Sequence, residues 1–280
     1  MVSNRLFIHL FKDLESGKLT LPALPDIAIK IRSELNRAEV DMKVVADLIR
    51  IEPNLSTYIL KVANSVHYKR ISKTSDISNA IVRLGFLTTR NISTTYAMRS
   101  LFRPKVKRLQ PLMRELWQKA AELGATTAVL AKRTTNFSLD EALTAGLIQD
   151  IGVLPIVEKM VEYSADFEMD EEAQEVIEKY AAKVGALVLH KWNFDSDLVN
   201  VVRARKDWHR DPQPEADMAD VVLIARLHNA LHDKTSDENP RMFTLPAFKK
   251  LGLLELGVEE GLAILKDSKD EIESVRRLLV

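Results

Sequence analysis

The sequence predicts an all-α protein built as two packed helical bundles. Three observations carry that reading: only 9 glycines in 280 residues, few runs of β-branched residues, and apolar side chains recurring at helical spacing between start and stop signals. In LPALPDIAIKIRSELN, Pro25 opens a helix, because a first-turn residue loses nothing by lacking an N–H. Ile27, Ile31 and Leu35 then share one face. Asp41 caps a second helix whose apolar side holds Val44, Val45, Leu48 and Ile49. Pro53 opens a third, with Leu55, Ile59, Val62 and Ala63 inward. Asp76 precedes a fourth that carries Ala80, Ile81 and Leu84, and Gly85 suits the left-handed residue after its end. A fifth runs through TTRNISTTYAMRSLF and stops before Pro104. Residues 1–103 thus read as an N-terminal bundle.

The segment PKVKRLQP, 104–111, reads as a linker into a second bundle over 104–280. A long helix follows from Leu112 to about Lys132. Ser138 and Glu141 form a capping box that starts the helix EALTAGLIQDI, and Gly152 ends it. Further helices are expected over 155–163, 171–191, 196–208 and 215–232. LHDKTSDENPRMFTLP is a polar loop, and the tail supplies one or two closing helices.

Composition excludes several classes. With 40 basic and 40 acidic side chains the formal charge is zero, which argues against a general nucleic-acid binder. The absence of cysteine removes disulfides, thiolate metal sites and cysteine nucleophiles. No stretch approaches the ~18 apolar residues of a membrane span, and the N-terminus is too short and polar for a signal peptide, so the cytoplasm is the expected compartment. Neither a Gly-rich phosphate loop nor a G-x-S-x-G elbow occurs.

The order of segments resembles the HDOD domain, the HD-related output domain of bacterial signalling proteins. The matching stretches are LPALPDIAIKI at 21–31, ADLIRIEPNLSTYILKVANSVHY at 46–68 and SDISNAIVRLGFLTTRNI at 75–92. GLIQDIG at 146–152, VGALVLHKW at 184–192 and ADVVLIARLHNAL at 219–231 continue the match, which covers roughly 18–232. The resemblance implies an all-α fold related to the HD and HD-GYP phosphohydrolases, serving as a regulatory module without catalysis.

Hydrolysis of the HD type needs divalent metals held by several His and Asp side chains, which activate water and neutralise phosphoryl charge. The signature His-Asp pair falls on Gln149-Asp150, and a neutral carboxamide cannot replace an imidazole at a transition-metal site. Lys119 and Ala181 stand where the resemblance anticipates two further histidines, and His209 alone remains where a His-His pair is common. No catalytic or metal site and no cofactor is therefore expected, and Asp150 reads as a buried hydrogen-bonding residue. His228 and His232 lie at i, i+4, but Asn229 replaces the glutamate a metalloprotease needs, so the pair reads as a solvated helix end.

Two other groups qualify as contacts for a partner or ligand. Asn64, Ser65 and Tyr68 form a polar cluster at a helix end, which is also the composition of a C-terminal cap. Arg99, Arg103, Lys105, Lys107 and Arg108 form a basic run without acids, suited to solvated surface or to phosphate. The leading expectation is a regulatory module acting through contact with a signalling protein. The alternative is a sensor holding a nucleotide second messenger around Gln149 and Asp150, with Lys105, Lys107 and Arg108 assisting. A residual phosphohydrolase ranks last.

Overall fold

A computed structural model of the chain describes residues 12–13, 16–68, 72–104, 106–163, 167–232, 240–257, 261, 263–264 and 267–279. Among them there are helices and turns but no strand. The helix starts follow the chemistry of the sequence. Pro25 stands just before α1 (Asp26–Leu35), and the Asp41 carboxylate accepts the N–H groups of Lys43 and Val44 at the head of α2 (Met42–Ile51). Pro53 is the first residue of α3 (Pro53–Ala63), and Asp76 accepts from Asn79 at the start of α4 (Ile77–Leu84). Gly85 takes φ +82°, a conformation that side chains disfavour, and turns the chain directly into α5 (Phe86–Leu101).

The second half comprises α6 (Gln110–Thr134), α7 (Leu139–Ile148), α8 (Val153–Tyr163), α9 (Glu171–Lys191), α10 (Ser196–Arg203), α11 (Met218–His232), the short α12 (Pro246–Lys250) and α13 (Lys269–Leu279). Four boundaries differ from the sequence reading. The segment before α6 is not a free linker: Lys107–Leu109 forms a 3₁₀ turn running straight into the helix, anchored by buried Leu109. Helix α7 ends at Ile148 rather than running to Gly152, and residues 149–152 form a turn. Helix α10 stops at Arg203, short of 208, because tight turns follow (Arg205 N–H to Val202 O, Asp207 N–H to Ala204 O) and carry Arg205 into the interior. The start of α11 moves from 215 to Met218, where Asp217 and Asp220 each accept the other's backbone N–H.

Ile31, Ile49, Leu55, Ile59 and Ile81 form the core of the first five helices. A second core runs through α8, α9 and α10, and Ala28, Ala97 and Met98 reach into it from α1 and α5. A third, with Val222, Ile224 and Phe248, joins α11 to α12. Helices α6 and α7 meet at glycines. A methyl group on Gly146 would lie 2.7 Å from Gly124 Cα, so the two backbones touch where any side chain would part them. The C-terminal helix α13 packs Val275 and Leu279 against Trp117, Ala121 and Ala125 of α6.

Candidate functional site

The turn between α7 and α8 holds the two residues that correspond to the hydrolase signature. Its tightness is set by glycine: a methyl group on Gly152 would fall 2.1 Å from Ala181 O and 2.5 Å from Gly185 N, so α9 passes directly against it. Gln149 is fully buried and Asp150 keeps 30% of its side chain exposed. Two arginines close on them. Arg205 donates through Nε to Asp150 Oδ1, and through Nη1 to Glu178 Oε2 at 2.7 Å. Arg226 donates to Gln149 Oε1 at 2.6 Å and to Asp150 Oδ2 at 2.9 Å. Lys206 adds a second cation to Glu178 at 2.8 Å.

Burial by itself would raise the Asp150 carboxyl, but the guanidinium charges of Arg226 and Arg205 outweigh it and hold the group far below the usual carboxylate range. Burial would likewise lower Arg205, and the charges of Asp150 and Glu178 raise it instead. The carboxylates of Asp150 and Glu178 are thus held in the ionised form at neutral pH. Both Asp150 oxygens are engaged by guanidinium groups, which supply the positive charge a metal would otherwise bring. A divalent cation does not fit here: it would have to displace two arginines, and its neighbours would be a carboxamide and cations. Among the described residues no group of three or more His, Cys, Asp or Glu side chains is arranged to hold a metal ion.

The positions singled out as lost ligands divide. Ala181 lies buried beside the site, its carbonyl against Gly152. Lys119 does not face it: the side chain is 63% exposed and pairs with Glu115 at 2.7 Å. Exposed His209 adds nothing to the cluster, and the side chain of His232 lies outside the described residues.

Asn64 and Tyr68 make contacts within the fold. Asn64 is the cap of α3, but in a right-handed rather than a left-handed conformation. Its amide grips the backbone of Thr74 at both ends, 2.8 and 2.9 Å, and so closes the intervening loop. The Tyr68 hydroxyl reaches Asp140 Oδ1 at 3.5 Å, where Thr88 also donates, and Asn91 donates to Oδ2; the buried carboxylate of Asp140 thereby ties α5 to the first turn of α7. Burial first, and Asp140 second, push the Tyr68 phenol upward, so it stays a neutral donor. Ser65 lines a shallow groove beside α13.

The basic run does not join the Gln149–Asp150 cluster. Arg108 donates to Val161 O, near the far end of α8, about 12 Å along the helix from the turn at Asp150. Lys107 is exposed, and Lys105 lies outside the described residues. Asp140 and Asp150 are likewise separated by the length of α7, so the three candidate groups form three separate places.

Arg205, Arg226 and Glu178 escaped the sequence reading. One signal for Arg226 was present: it is the single charge inside the apolar run VVLIARLHNAL, and a cation there requires a buried partner.

The helix order and the turn at Gln149 and Asp150 define an all-α protein with an ion-pair cluster where that turn meets α9 and α11. A family model for the HDOD domain matches residues 21–208, and the chain belongs to that family. In overall fold it is similar to a provisionally named metal-dependent phosphohydrolase from Shewanella amazonensis SB2B, at TM-score 0.81 and 23% identity over 99% of both chains. It is also similar to an HDOD domain protein of unknown function from Geobacter sulfurreducens, at 0.67 and 22% over 100% of this chain and 98% of that one. A provisionally named signal transduction protein from Marinobacter aquaeolei VT8 gives 0.58 and 20%, covering 94% of this chain and 60% of that one. In sequence, the chain is 23% identical over 217 residues to an uncharacterised protein of Treponema pallidum, spanning 74% of this chain but 42% of that protein's length. No helix among the described residues is long and apolar enough to cross a membrane.

Proposed function

We propose that this chain is a non-catalytic regulatory module of signal transduction that acts by contact with a signalling protein. The observation that carries the reading is the double-arginine clamp on Asp150. The one carboxylate retained from the hydrolase signature has both its oxygens committed to Arg205 and Arg226, so it is spent on holding α7, α10 and α11 together. The signal-transduction name of the Marinobacter relative agrees with this reading, while the phosphohydrolase name of the Shewanella relative is not carried over, since Gln149 and two arginines stand at the signature turn of this chain.

A contact surface is offered at the corner between α4 and α5, where Val82, Phe86 and Leu87 stand 64%, 40% and 68% exposed around Gly85. Large apolar side chains grouped within one turn are the material of a protein interface. The test has two arms on the purified chain. Hydrolysis of a generic phosphodiester with manganese or iron is expected to stay at the buffer rate, and metal-dependent turnover would contradict the reading. A partner recovered from native lysate is expected to be lost from Leu87→Asp and Val82→Asp while thermal unfolding stays unchanged; recovery undiminished by both variants counts against this surface.

A further inference from the structure

A cleft of the described residues stands away from the signature turn. It lies between α3, α5, α6 and α13 and encloses about 540 Å³, inside the range of roughly 300–1,000 Å³ usual for small-molecule sites. Its walls are unusual for a chain of zero net charge. Lys61, Arg99 and Arg103 line it against one acid, Glu52. Neither Arg99 nor Arg103 forms an ion pair among the described residues, and Lys61 is held only by the Arg277 carbonyl at 2.8 Å. Cations left without carboxylates around a concave surface are poised for an anion.

The same cleft carries aromatic surface. Tyr58 and Tyr96 stand 5.6 Å apart with their rings tilted by 37°, and Trp117 lines the inner side. Trp117 is 7% exposed, and its indole N–H is buried without an acceptor. Flat rings and guanidinium groups without carboxylate partners together match one ligand chemistry.

We propose that this cleft binds a small anionic ligand with a planar ring, of the nucleotide class. Arg99 and Arg103 take the phosphate at the mouth, and the tyrosine wall takes the ring. The site is separate from Gln149 and Asp150, so the proposal stands or falls independently of the regulatory reading.

Titration of the full chain with AMP, GMP and cyclic di-GMP, followed by calorimetry and tryptophan fluorescence, tests it. Adenosine and inorganic phosphate serve as half-ligands. At least one nucleotide is expected to bind, to quench emission that Trp117→Phe removes, and to exceed both half-ligands by about tenfold or more. Arg99→Ala and Arg103→Ala, both on exposed positions that leave the core intact, are each expected to weaken it by about tenfold. Failure of all three nucleotides, binding untouched in the double Arg99→Ala, Arg103→Ala variant, or phosphate binding as tightly as the nucleotides would each overturn the proposal.

Discussion

Asp150 decides what the signature turn can do. Its native pKa lies below that of the unfolded chain, so the unfolded state binds more protons in acid, and the ion-pair contribution is complete above about pH 5 and lost as pH falls below about 4. Asp150→Asn is expected to cost about 2–3 kcal/mol at neutral pH, since it leaves two guanidinium groups short of their counter-charge at a site still 30% exposed. The variant should also show a shallower loss of stability between pH 5 and pH 2 than the native chain, measured by urea unfolding at each pH; parallel profiles would refute the role given to this carboxylate. Gln149 and Asp150 were legible in the sequence because they lie within one contiguous motif. Their partners were not, since Arg205 and Arg226 stand 55 and 76 residues further on and an arginine reads by default as surface.

At the scale of elements, capping chemistry was legible and helix ends set by tertiary demands were not. Asp41, Asp76 and Ser138 cap where the sequence places them, because an acceptor at a helix head acts locally. The early end of α10 answers instead to the need to bring Arg205 against Asp150, which no local pattern announces. Helix α5 shows the same limit. Its buried side holds Thr89, Ser93, Thr94 and Thr95, and Thr89 and Thr94 return their hydroxyls to the carbonyls of Gly85 and Arg90, so a polar-looking face packs inside. Glycine contacts carry the sharpest consequence. Gly152→Ala must push α9 away from the signature turn, and a loss of about 2–3 kcal/mol or more is expected in thermal or urea unfolding. An unchanged midpoint would mean that the turn and α9 are not in contact.

At the scale of the molecule, α13 joins the two ends of the chain. Glu271 pairs with Lys132 and Arg133 of α6, and the Arg277 carbonyl receives Lys61 of α3. The ion pairs are exposed and contribute little, so the docking rests on Val275 and Leu279 against the alanine-rich face of α6. Val275→Asp places an unpaired charge in that seam and is expected to lower stability by more than about 2 kcal/mol, with early proteolysis of the C-terminal segment. Cleavage and unfolding at native rates would contradict the packing. The sequence announced a closing helix here but not where it docks, because its apolar residues fit any complementary face.

The claim that two arginines take the place of a metal at the signature turn is tested most directly by calorimetric titration of the purified, metal-stripped chain with Mn²⁺ and Fe²⁺ near neutral pH. No saturable heat and no retained metal are expected, since both Asp150 oxygens are already bound to guanidinium groups. Binding of one or two ions per chain, abolished by Asp150→Asn, would contradict it.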